Sequence, residues 1–147
     1  MSASIIWHGQ YFDTIFCQIF GRPSEQVFEY ILYHDIEEIQ TGDIPFGAKC
    51  REMSILLEES EEKARKDLRI KKPSIHEKDR VRVKICDLLE MFEFGVEEVV
   101  RGNLLATPII TDTIELIGKK SVVLGGFETP KVSEYIESVI NKYGVEL

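Results

Sequence analysis

His34 and Asp35 stand side by side, and Glu38 follows four residues after the histidine and three after the aspartate. On a helix those spacings bring all three side chains to one turn of one face. Val27 and Ile31 extend the same face toward the N-terminus, so an imidazole and two carboxylates continue an apolar stripe. Burying such a group is costly unless something cationic pairs with it. A divalent metal is the simplest answer. The residues that follow, Thr41-Gly42-Asp43-Ile44-Pro45, put a glycine where a helix C-cap is easiest and a proline where no helix continues. Asp43 is therefore expected on a turn beside the end of the His34 helix, within reach of the same site.

Other candidates gather around this stretch. His8 lies four residues before Phe12 on an apolar first helix, where a lone histidine reads as a satisfied core residue. The His34-Asp35 pair shifts that reading, because a metal held by one helix turn needs further ligands from another helix. Lys49 follows the turn, and Lys84 precedes Asp87 by three residues, hence on the same helical face. Trp7 is the sole tryptophan. It suits stacking on a base as well as a place in a core or interface.

At these residues the chain resembles the HD-domain metal phosphohydrolases, and within them the bacterial 5'-deoxynucleotidases of the YfbR type and the small phage dNTP phosphohydrolases. An early histidine, an HD pair and a late aspartate are matched by His8, His34-Asp35 and Asp87. The subgroup's glutamate, its TGD-hydrophobic-Pro turn and its lysine are matched by Glu38, Thr41 to Pro45 and Lys49. A second block, Val83 to Asn103, resembles the subgroup's helix with its Val-Lys, Asp-Leu, Glu-Glu and Gly-Asn pairs. The likeness spans roughly residues 5 to 103. The chain departs from the subgroup at its front, where seven residues precede His8 and the helix bearing an Arg-Trp pair has no counterpart.

The resemblance implies an all-α, single-domain HD-type helical bundle over residues 1–147, and a metal held by His8, His34, Asp35 and Asp87. Two imidazoles and two carboxylates suit zinc, manganese, cobalt or iron better than calcium. Water held by such an ion loses its proton near neutral pH and can attack phosphorus. Glu38 or Asp43 would take that proton or protonate the leaving oxygen. Lys49 and Lys84 would clamp phosphate oxygens. The expected substrate is a deoxynucleotide cleaved at the alpha phosphorus, either a dNMP or a dNTP such as dATP. The competing readings are an HD module that binds nucleotide without turnover, and an HD enzyme acting on another nucleotide phosphate ester.

Composition agrees with a small-molecule substrate. A net charge of −8 argues against duplex DNA or an anionic membrane as partner, since both need basic surface. No run approaches the ~18 apolar residues of a membrane span, and the first residues lack the basic start of a signal peptide. Cys17, Cys50 and Cys86 form no CxxC, which fits a reducing cytoplasm, and each reads as a small apolar residue on a helix. Phe- and Tyr-rich helix faces in a chain of this size suggest a homo-oligomer.

The elements that must position these residues are read from periodicity and caps. A first helix runs from a cap at Ser2 or Ser4 to about Phe20, with Ile5, Phe12, Ile15, Phe16 and Ile19 as its apolar stripe. Ser24 caps the helix carrying His34, and a third helix runs from Phe46 or Gly47 to about Leu68 with a solvated, charge-alternating second half. A capping box of Ser74 and Glu77 opens a long fourth helix from about Ile75 to Arg101. Its core positions are Leu88, Met91, Phe92, Phe94, Val96 and Val99, with His76 as an ordinary first-turn residue. Pro108 to Ile117 reads as a short helix, SVVLGG as extended or a buried connection, and Pro130 to Tyr143 as a final amphipathic helix without readable chemistry.

Overall fold

The computed structural model describes residues 3–33, 51–69, 71 and 73–145, the side chains of 3–10 and 51–54 excepted. The described residues form an all-α bundle of six helices and contain no strand. None of these helices is long and apolar enough to cross a membrane.

Helix α1 (Ala3–Phe20) buries Phe12, Ile15, Phe16 and Ile19, the stripe that its periodicity predicts. Ser24 caps α2 (Glu25–Tyr33), its Oγ accepting from the Val27 N–H at 3.3 Å, and Val27 and Ile31 are buried as α2 folds back on α1. Helix α3 (Arg51–Leu68) buries Ala64 and is otherwise largely solvated from Ile55 onward, as its alternating charge implies. Its Glu62–Lys66 pair, at 2.7 Å and spaced i,i+4, lies in solvent.

Helix α4 (Glu77–Val100) is the axis of the bundle, with α1, α5 (Thr107–Ser121) and α6 (Thr129–Tyr143) packed on it. Ile85, Leu88, Leu89, Phe92 and Val96 are fully buried on its inner face. Each such side chain stabilises the fold by roughly 1.5–3 kcal/mol. Gly95 permits a close approach in that packing. A Cβ built there would stand 3.1 Å from Ile110 Cγ1 and 3.2 Å from Ile109 Cγ2 of α5. A short 3₁₀ turn, Leu104–Ala106, joins α4 to α5.

Four expectations change. The capping box at Ser74 does not form: α4 begins at Glu77, and the N-cap is His76, in extended backbone with no side-chain cap bond. Phe94 is 53 % exposed, because at that position α4 turns its outer face to solvent while Phe92 and Val96 face inward. SVVLGG is neither extended nor a buried connection. Ser121 ends α5, Leu124 is buried, and Val122 and Val123 point outward from the turn. Cys17 is exposed, whereas Cys86 is buried as expected. Cys50 and the start of the third helix fall outside the described residues.

Candidate functional site

Of the residues singled out for chemistry, Asp87 and Lys84 have described side chains. His34, Asp35, Glu38, Asp43 and Lys49 lie outside the described residues, as do the side chains of Trp7 and His8, whose backbone belongs to α1. The last residue of α2, Tyr33, immediately precedes His34.

Asp87 sits on α4 between the buried Cys86 and Leu88, with its own side chain 23 % exposed. Lys84 lies one turn earlier and its ammonium donates to Asp87 Oδ2. The two share a face, as the i,i+3 spacing requires. Lys84 is nonetheless occupied by the carboxylate rather than held apart for phosphate. A solvent-accessible pair of this kind is worth only about 0–1 kcal/mol, so exchanging Asp87 for an anionic ligand costs Lys84 little.

The wall facing this turn comes from α1. Cys17 Sγ lies 3.9 Å from Asp13 Oδ1. Burial and the Asp13 carboxylate push the Cys17 thiol up, and burial, aided by Asp87, Cys17 and Asp13, pushes Cys86 well above its ordinary value. Both thiols therefore stay protonated at neutral pH and are poor nucleophiles. Where α1 meets α2, Asp13, Cys17, Arg22, Pro23, Glu25 and Phe28 line an open groove of about 670 Å³. Its charged lining is two carboxylates and one guanidinium, with no surplus of positive charge to attract a nucleotide.

The register of α1 on α4 bears on the metal set. The helices run antiparallel, with Tyr11 bonded to Glu93 and Phe20 lying under the Arg82 guanidinium, 5.8 Å from it. Counted from those two contacts, Asp87 stands level with the stretch Ile15 to Cys17. The backbone of His8 lies about seven to nine residues further along, roughly 10–13 Å at 1.5 Å per residue, a span that the two side chains and an ion between them would have to bridge. No group of three or more His, Cys, Asp or Glu among the described residues is placed to hold a metal, and the side chains of His8, His34 and Asp35 lie outside those residues.

Among the described residues, the acidic residue with the most bonding partners is one that sequence reading passed over. Glu93, 5 % exposed, accepts from the Tyr11 hydroxyl of α1 and, from α6, the Tyr135 hydroxyl at 3.1 Å and the Lys142 ammonium at 2.8 Å. Tyr143 contributes a longer bond at 3.4 Å and also donates to Glu97. Burial alone would raise Glu93, but the Lys142 ammonium and the two tyrosine hydroxyls outweigh it and hold the carboxyl below its usual range. The same burial, with Glu93 as acceptor, pushes the Tyr11 and Tyr135 phenols far up. All three groups keep fixed protonation near neutral pH, so this cluster fastens helices rather than moving protons. The signal was present in sequence: Glu93 falls on the inner face set by Leu89 and Val96.

A second clasp holds the other end of α6. Glu128, its N-cap residue, accepts from Arg82 Nε at 2.8 Å and forms an ion pair with Lys78 at 2.9 Å, while Arg82 also bonds Asp79 at 2.7 Å. The tail that carries no readable chemistry is thereby pinned to α4 at both ends.

No protein-family model, no curated protein and no solved structure matches this chain.

Proposed function

We propose that the chain is a metal-dependent phosphohydrolase of the HD type that hydrolyses deoxynucleotides at the alpha phosphorus. The observation that carries this is the constellation His34-Asp35, Glu38, Thr41 to Pro45 and Lys49, with the Lys84–Asp87 turn as its second block. Nine residues at fixed spacing within sixteen positions are far more specific than an HD dipeptide. The all-α bundle is the architecture that the resemblance implies.

His34, Asp35 and Asp87 would hold a divalent zinc, manganese, cobalt or iron ion, with His8 as the fourth donor. Such an ion supplies a Lewis acid that polarises the phosphoryl group and acidifies the attacking water. Glu38 is placed by its spacing to accept that water's proton, and Asp43 to serve the leaving oxygen or a sugar hydroxyl. Lys49 and Lys84 bind phosphate oxygens, Lys84 by exchanging Asp87 for the substrate. With a net charge of −8, these lysines and the ion supply the positive field that a nucleotide needs.

A second reading is an HD module that binds nucleotide without turning it over, which applies if His8 does not complete the ligand set.

The test is a panel of dNMPs, dNTPs and ribonucleotides with manganese, cobalt or zinc, resolving phosphate from triphosphate. The expected result is deoxy-selective hydrolysis that His34→Ala and Asp35→Ala abolish together with stoichiometric metal. Nucleotide binding without product favours the second reading. Neither binding nor turnover sinks both.

A further inference from the structure

Between α5 and α6 runs an apolar cleft of about 640 Å³, walled by Ile114, Ile117, Gly118, Val122, Pro130 and Ile136. Beside it stands a knob. Phe127 is 92 % exposed and Val122 is 82 % exposed, joined by Val123 on the same connection. Phe127 is not at a frayed end. Its neighbour Glu128 is clamped by Arg82 and Lys78, the Thr129 hydroxyl donates to the carbonyls of Ser121 and Gly125, and Gly125 takes the left-handed turn (φ +85°) that sends the chain outward. A large aromatic ring is thus held in water by a pinned turn, next to a hole lined with aliphatic groups.

We propose that this face docks a second copy of the same chain, each copy placing Phe127 in the α5–α6 cleft of the other. A knob and a hole on one face of one chain satisfy each other across a twofold axis, and that arrangement closes as a dimer. Charge selects the same partner. The chain carries −8 overall, so two copies repel each other over most of their surfaces. Between Ile114 and Ile136 three lysines (Lys119, Lys120, Lys131) stand with two glutamates (Glu115, Glu134), Glu128 being held by Arg82 and Lys78 of α4, so this stretch lacks the negative excess of the whole chain. A strongly charged partner finds nothing there to recognise. The exposed apolar area is sufficient: Phe127, Val122, Val123 and Ile114 present on the order of 400 Å², close to the apolar share of the ~800 Å² that each partner contributes to a standard interface. A patch of that size is at the upper range for a free monomer surface.

The inference is independent of the proposed function, because none of these residues belongs to that site. Light scattering and sedimentation of the full chain should give twice its 16.9 kDa at micromolar concentration. Phe127→Glu and, separately, Val122→Glu should raise the dissociation constant at least about 100-fold, the loss expected from a central aromatic anchor. Both residues are exposed, so circular dichroism and the thermal midpoint of dilute protein should not change. A monomer at all concentrations to 100 µM, a dimer unaffected by either variant, or assembly beyond two copies would each overturn the proposal.

Discussion

Two of the carboxylates on helix α4, Asp87 and Glu93, stand six residues apart, and the bundle treats them oppositely. Glu93 points between α1 and α6 and is met by an ammonium and tyrosine hydroxyls from both. Asp87 stays at the surface, and its partner among the described residues is Lys84 of its own helix. The first carboxylate is spent on structure, because a buried charge persists only when donors from several elements surround it. The second meets, among the described residues, a single solvated lysine. An acidic residue's value for chemistry is thus legible in its neighbours: fixed donors from other helices immobilise it, while a single solvated lysine leaves it exchangeable.

The contrast predicts different answers to the same substitution. Glu93→Ala removes the acceptor shared by α1 and α6 and should cost about 3–5 kcal/mol, read as a drop in the urea midpoint at pH 7. A loss below about 1 kcal/mol would show that the cluster contributes little.

Acid should act through the same residue. Because the Glu93 carboxyl is held below its usual range, its stabilisation is fully present above about pH 4.3. It is lost as pH falls through the lowered native value. Glu93→Gln should therefore be less stable at neutral pH but should lose stability less steeply below about pH 4.3, measured as urea midpoints from pH 7 to 3. Parallel curves for the two proteins would remove Glu93 as the titrating group.

Asp87→Ala and Lys84→Met should give the smallest stability change, within about 0.5 kcal/mol, since their pair is solvent-accessible. Under the proposed function Asp87→Ala also lowers metal affinity and turnover, by no less than the 10–100-fold typical of residues that merely orient a ligand. A large stability loss in either variant would erase the distinction between the two carboxylates.

Composition and periodicity decided much of the fold. The stripe of Phe12, Ile15, Phe16 and Ile19, the serine cap of α2 and the long apolar face of α4 rest on local spacing, so helix existence and most boundaries were readable. Local spacing also defines the HD constellation, since residues three and four apart on a helix are neighbours whatever surrounds them. Partnerships between helices are another matter. That Glu93 meets Lys142, that Arg82 meets Glu128, and that Phe94 faces solvent depend on how helices are rotated and slid against one another. The same rotation and sliding set which stretch of α1, Ile15 to Cys17, stands level with Asp87. A one-dimensional pattern gives each helix its apolar face but not its axial register, because many offsets bury nearly the same area. The register was chosen by close contacts such as Gly95 against Ile110 and by the charged clasps at both ends of α6.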